Sequence, residues 1–191
     1  MKKILFINAC IRPCSRTLEM AKALLNKAEG TIEEIALDKL DLDPLDFVGL
    51  EKRNQAVSNR DFTDPSFDLA KQFAAADVIV IAAPYWDLMF PAILKTYLEN
   101  VAVCGLTFAY TPEGRPRGMC SAKSLYYITS AGGYIGENDF GYSYIKALAQ
   151  TLFEIQEVVC IAAEGLDIAG ANVDEIIEKA KNNLTQRGDK L

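Results

Sequence analysis

The stretch Lys3-Ile4-Leu5-Phe6-Ile7-Asn8 is an apolar run typical of a buried β-strand, and the polar loop after it ends in Ser15-Arg16-Thr17. A helical pattern follows from Leu18, so this loop lies at a helix N-terminus. Unpaired backbone N–H groups and the helix dipole favour an anion there. The loop has neither the Gly-x-Gly-x-x-Gly spacing of dinucleotide sites nor the Gly-Lys-Ser/Thr ending of triphosphate sites. The pattern predicts a site for a phosphate monoester, such as that of a mononucleotide like FMN; the alternative is an ordinary helix N-cap.

Length and charge limit the classes of function. The chain has 191 residues, 50% of them hydrophobic, so it can bury a substantial core, and we expect a single domain over residues 1–191. A net charge of −6 argues against nucleic acid as a partner. No apolar stretch reaches the roughly 20 residues that cross a bilayer, and no cleavage pattern follows the N-terminus. We therefore expect a soluble cytoplasmic protein with no membrane partner.

The chain contains no histidine, which excludes Ser-His-Asp and Cys-His catalysis and removes the commonest metal ligand. No metal site is predicted, and chemistry carried by an organic cofactor fits better. The five cysteines form no Cys-x-x-Cys pair. Cys10 and Cys14 flank the polar loop, and one of them is a candidate reactive thiol because a helix N-terminus lowers thiol pKa.

Apolar runs alternate with helical patterns along the whole chain. The predicted strands span residues 3–8, 31–36, 78–83, 124–129 and 158–162, and the predicted helices span residues 17–28, 65–75, 91–101, 141–153 and 173–186. Continuous apolar strands are typical of a parallel sheet that is covered on both faces. The pattern predicts an α/β fold: a doubly wound, flavodoxin-like three-layer sandwich with a five-stranded parallel sheet in the order 2-1-3-4-5.

Two segments interrupt the alternation. Residues 38–63 are long and charged for a connection in a compact domain, which favours a functional or interfacial role. Residues 106–118 combine β-formers with a Pro- and Gly-containing turn, which predicts a small hairpin.

Sheets of this kind bind ligands at the carboxyl ends of their strands, where the winding direction reverses. The loops predicted at that edge are residues 9–17, 83–90 and 130–136. The second loop contains Pro84-Tyr85-Trp86-Asp87, whose aromatic side chains at a solvent-facing edge are suited to a flat ring. The alternative is that Trp86 and Phe90 only pack beneath the neighbouring hairpin.

The third loop is rich in glycine and contains Ser130-Ala131-Gly132-Gly133-Tyr134. Glycine permits close approach of the backbone to a ring, and Tyr134 is placed to cover that ring. An ordinary flexible turn before a helix is the alternative. Because all three loops fall at one edge, the joint interpretation as a flavin site is favoured.

Several motifs carry a resemblance to a known family. They are Ala-Pro-Tyr-Trp-Asp at residues 83–87, the helix at 91–99, Gly-Leu-Thr-Phe-Ala-Tyr-Thr at 105–111 with Gly114 and Gly118, Lys123, and Ser-Ala-Gly-Gly at 130–133. In these motifs the chain resembles the FMN-dependent NAD(P)H oxidoreductases of the flavodoxin-like quinone reductase and azoreductase family. The resemblance implies a homodimer and ping-pong hydride transfer from NADH or NADPH, through FMN, to a small aromatic acceptor: a quinone, an azo compound or a nitroaromatic.

The resemblance also implies the cofactor contacts. The FMN phosphate would be held by the first loop, the ring would lie along the second, and the third would close the pyrimidine side. The full set of expected cofactor-binding residues is Arg12, Ser15, Arg16, Thr17, Pro84, Tyr85, Trp86, Asp87, Ser130, Ala131, Gly132, Gly133 and Tyr134. No catalytic side chain is expected, because hydride transfer at flavin N5 needs none.

Two other functions stay open: a flavodoxin-type electron carrier, and a binding or regulatory module of the same fold that has lost the cofactor.

Asp87 stands where the family usually has Asn, and Ala131 where it often has Arg. A carboxylate near N5 and O4 opposes the negative charge that develops as the flavin is reduced. We therefore expect Asp87→Asn to make the bound flavin easier to reduce, seen as a higher midpoint potential in a spectroelectrochemical titration. A potential equal to that of the wild type would contradict a charge role for Asp87.

Overall fold

The computed structural model describes residues 1–188, and its central feature is a five-stranded parallel sheet. The sheet strands are β1 (Lys3–Asn8), β2 (Thr31–Ala36), β3 (Val78–Ala82), β6 (Ser124–Ser130) and β7 (Glu157–Ala163), and a separate two-stranded sheet holds β4 (Phe108–Tyr110) and β5 (Pro116–Gly118). The helices are α1 (Arg16–Leu25), α2 (Phe47–Asn59), α3 (Asp68–Ala75), α4 (Ala92–Val101), α5 (Phe140–Thr151) and α6 (Val173–Gly188).

The strand order of the large sheet is β2-β1-β3-β6-β7, with every neighbouring pair parallel. Counted along the chain, its five strands therefore lie in the order 2-1-3-4-5. This arrangement confirms the predicted flavodoxin-like α/β class. The winding direction reverses between β1 and β3, so a crevice is expected at their carboxyl ends.

Helices lie on both faces of the sheet, which explains why the inner strands β1, β3 and β6 are apolar and buried on both sides, whereas the edge strand β2 is largely exposed. Along β1 the side chains alternate: Leu5 and Ile7 join a core with α3, α4 and α5, whereas Ile4 and Phe6 join a core with α1 and α6. The strand is thus buried from both directions, and its position fixes where the following loop emerges.

The segment 38–63, expected only as a long connection, contains the helix α2. Asp46 caps this helix by accepting a hydrogen bond from the Gly49 backbone N–H at 2.7 Å. No residue of α2 is buried, and Phe47 and Val48 are 77% and 72% exposed. Only Ala56 and Val57 of this helix pack against the core, and both are half-buried, so the helix carries no clear apolar stripe and periodicity does not reveal it.

The predicted hairpin is present, with β4 and β5 paired antiparallel. Its base is fixed by Thr107, which is fully buried. The Thr107 hydroxyl donates to the Val101 carbonyl at 2.8 Å and accepts from the Val103 N–H at 3.0 Å. The hairpin is therefore anchored to the end of α4 by a buried polar contact.

Within residues 1–188, no helix combines the length and the apolar character that crossing a bilayer requires.

We expect Thr107→Val to lower the free energy of unfolding by about 2 kcal/mol, because it removes a buried hydroxyl that both donates and accepts. Urea unfolding measures this change. Thr96→Val is the matched control, since the Thr96 hydroxyl bonds only the Ala92 carbonyl on a half-buried helix face, and its effect should stay within about 0.5 kcal/mol. Equal losses in the two variants would contradict an anchoring role for Thr107.

Candidate functional site

A cavity of about 440 Å³ opens at the carboxyl edge of the sheet. Its volume lies within the range of small-molecule sites, roughly 300–1,000 Å³. Four loops contribute to it, those that follow β1, β3, β6 and β7. The lining residues are Cys10, Ile11, Arg12, Cys14, Ser15, Arg16, Thr17, Pro84, Tyr85, Trp86, Ser130, Ala131, Gly132, Leu166 and Asp167.

One wall of the cavity is the N-terminus of α1. Ser15 is the N-cap residue, and its hydroxyl accepts a hydrogen bond from the Leu18 N–H at 3.2 Å. Arg16 and Thr17 are the first two residues of the helix, so their backbone N–H groups have no partner within it. Together with the positive end of the helix dipole, these donors form an arrangement suited to an anion.

The loops are held together by direct hydrogen bonds. The hydroxyls of Thr17 and Ser130 lie 2.6 Å apart, and Thr17 is completely buried. The Tyr85 backbone N–H donates to the Ser130 carbonyl at 3.0 Å. The segments after β1, β3 and β6 therefore meet at Ser130, and the three sequence motifs face one cavity.

The aromatic loop forms a tight turn. The Trp86 N–H donates to the Met89 carbonyl at 3.0 Å, and the Met89 N–H donates to the Trp86 carbonyl at 2.8 Å. Asp87 and Leu88, between them, have φ values of 51° and 67°. Two consecutive left-handed residues define a two-residue turn of the kind found in β-hairpins. This turn makes Asp87 an exposed tip residue that does not line the cavity.

Trp86 also contacts the first loop. The Arg12 guanidinium carbon lies 5.7 Å from the centroid of the Trp86 ring, a cation–π contact. The neighbouring Tyr85 hydroxyl donates to the Asn138 carbonyl at 2.8 Å. Contacts with Arg12 and Asn138 therefore help to hold Trp86 and Tyr85 in place at the cavity.

The glycine-rich loop pairs with the loop after β7. The Asp167 N–H donates to the Gly132 carbonyl and the Gly165 N–H donates to the Gly133 carbonyl, both at 2.9 Å. Gly132 lines the cavity, whereas Gly133 and Tyr134 do not, and Tyr134 is 78% exposed. Of the thirteen expected contacts, the structure therefore places ten at the cavity and leaves Asp87, Gly133 and Tyr134 outside its lining.

Sequence reasoning did not select five of the lining residues as cofactor contacts: Cys10, Ile11, Cys14, Leu166 and Asp167. The last two belong to the loop after β7. The predicted strand order already contained a signal for them, because it makes the last strand the neighbour of the fourth and places their loops side by side. No turn motif or aromatic cluster marks this loop as a ligand site.

The two thiols at the cavity differ in environment. Cys10 is only 6% exposed, and burial raises the pKa of its thiol to about 11, although a hydrogen bond with Ser15 acts in the opposite direction. Cys14 is exposed. Burial therefore counteracts the activating effect of the helix terminus at Cys10.

We expect Ellman's reagent at pH 8 to modify Cys14 before Cys10, because a thiol with a pKa of about 11 is only about one-thousandth thiolate at that pH. Stopped-flow absorbance should show a fastest phase that disappears in Cys14→Ser and remains in Cys10→Ser. A fastest phase that survives in Cys14→Ser would contradict this assignment.

Comparisons with known proteins agree with the fold. The profile of the family described as having a flavodoxin-like fold matches residues 2–187. An FMN-dependent NADH:quinone oxidoreductase of Clostridium beijerinckii is 35% identical over 189 residues, which cover 94% of each chain. An azoreductase structure from Bacillus anthracis covers 100% of both chains with a TM-score of 0.89 at 25% identity.

A second Bacillus anthracis structure, an FMN-dependent NADH-azoreductase in complex with FMN, has a TM-score of 0.84 at 21% identity and covers 100% of this chain and 99% of its own. At that identity the likeness concerns the fold alone. The family match and the clostridial relative extend over nearly the whole sequence. The chain therefore belongs to the flavodoxin-like fold family, in the group of quinone reductases and azoreductases that its sequence motifs resemble.

Proposed function

We propose that this protein is an FMN-dependent oxidoreductase that transfers hydride from NADH or NADPH to a quinone or azo acceptor. The observation that carries the proposal is that the N-terminus of α1 and the turn at Trp86 open into one cavity. The names of the clostridial relative and of the azoreductase structures support the same activity.

The residues present fit both parts of FMN. Ser15, Arg16 and Thr17 supply hydroxyl, guanidinium and backbone N–H donors for a phosphate. The aromatic side chains of Tyr85 and Trp86 line the same cavity and are suited to contact with a flat ring. Gly132 also lines this cavity, beside Ser130 and Ala131.

When bound, FMN accepts a hydride from the nicotinamide and passes it to the acceptor. This chain contributes orientation: the anion subsite would fix one end of the cofactor, and the turn at Trp86 would fix the other. The chain contains no histidine, which is compatible with a protein that positions the cofactor and leaves hydride transfer to it. Such a protein need not supply a general acid or base at neutral pH.

We expect the nicotinamide and the acceptor to use the same cavity in turn, as the family resemblance implies. The oxidised nicotinamide would leave before the acceptor enters, which gives ping-pong kinetics with parallel double-reciprocal plots. The acceptors would be small flat aromatics, including nitroaromatics.

A homodimer would cover exposed apolar residues, among them Phe47 and Val48 of α2 and Tyr110 of the hairpin, which is 60% exposed.

Reconstitution with FMN tests the proposal. The protein should become yellow, lose its flavin absorbance on anaerobic addition of NADH or NADPH, and oxidise either nicotinamide steadily when a quinone is supplied. Flavin binding without turnover would instead support an electron carrier. Failure to bind FMN would support a binding or regulatory module that has lost the cofactor.

We expect Ser15→Asp to weaken FMN binding at least about tenfold, because it places a negative charge beside the phosphate while Asp still caps the helix. Ser15→Asn is the matched control, since it caps the helix without a charge and should weaken binding less. Fluorescence titration gives both dissociation constants, and thermal melting checks that the fold is retained. Equal affinities in the two variants would place the phosphate elsewhere.

A further inference from the structure

An ion pair crosses one end of the cavity. Arg16 Nη1 lies 3.2 Å from Asp167 Oδ1, and both residues line the cavity although they are 151 positions apart in sequence. Their side chains are 44% and 73% exposed, so solvent screens much of the attraction between the two charges. The pair therefore joins the proposed phosphate subsite to the loop after β7.

Asp167 is held in place by the glycine-rich loop. Its backbone N–H donates to the Gly132 carbonyl at 2.9 Å. A Cβ atom at Gly132 would collide with Asp167 Oδ2, so the carboxylate occupies space that this glycine leaves open. The position of the carboxylate thus follows from the backbone of two paired loops.

The charges at the cavity are few. Among its lining residues Arg12 and Arg16 are cations and Asp167 is the anion. Arg12 lies over Trp86, and Arg16 is the cation at the helix N-terminus. Pairing with Asp167 neutralises Arg16 and occupies one N–H donor of its planar guanidinium.

We infer that Asp167 is a specificity-determining residue that weakens the binding of phosphate-bearing ligands at the N-terminus of α1, an inference that rests on the proposed function. A phosphate there must share Arg16 with the carboxylate and is repelled by it. A ligand without a phosphate group neither competes with Asp167 for Arg16 nor is repelled by the carboxylate. The carboxylate therefore reduces the preference of the cavity for FMN over riboflavin and makes FMN easier to exchange.

Asp167→Asn tests the inference, because it keeps the shape of the side chain and removes its charge. We expect FMN to bind about two- to fivefold more tightly, the upper part of the range for an exposed charge pair, while riboflavin affinity stays unchanged. The gain should shrink in 0.5 M NaCl because salt screens exposed charges. Glu29→Gln is the control: it removes one exposed charge after the C-terminal end of α1, away from the cavity, and should leave both affinities unchanged.

Inorganic phosphate is a second probe that does not depend on flavin binding. It should raise the melting temperature of Asp167→Asn more than that of the wild-type protein. If the wild type binds no flavin, the proposed function fails. The phosphate measurement then still tests whether the Asp167 carboxylate weakens phosphate binding. Weaker FMN binding in Asp167→Asn, equal changes for FMN and riboflavin, or no added stabilisation by phosphate would overturn the inference.

Discussion

The site depends on hydrogen bonds that continue the parallel ladder past the ends of the strands. The bond from Tyr85 to Ser130 joins the loops after β3 and β6, and the bond from Ala131 to Ala163 joins that loop to the end of β7. The contact between Thr17 and Ser130 adds the first helix. Because each loop is fixed by its neighbour, the cavity is part of the same hydrogen-bonded framework as the sheet.

The architecture was largely predictable because its three inner strands are buried on both faces. A strand with helices above and below must be apolar throughout, and runs such as the one at β3 show this directly. The helix α2 was not predictable in the same way. Its residues have no buried face to impose a period, so only its capping residue Asp46 marks where it begins.

The candidate site was predictable in its location more than in its details. The loops after β1, β3 and β6 carry signals that a sequence shows: a polar helix start, an aromatic cluster and paired glycines. Which side chains reach the cavity depends on turn geometry, and the left-handed conformation of Asp87 and Leu88 directs that tip into solvent. Asp167 lines the cavity because β7 lies beside β6 in the sheet, so that the loops after these strands are neighbours. This adjacency is a tertiary property.

The lack of burial along α2 has a consequence for how this protein diverges. Replacing its outer residues removes almost no packing from the core, so the chain tolerates change there at little cost in stability. The surface contributed by Phe47 and its neighbours can therefore change without disturbing the edge of the sheet where the cavity opens.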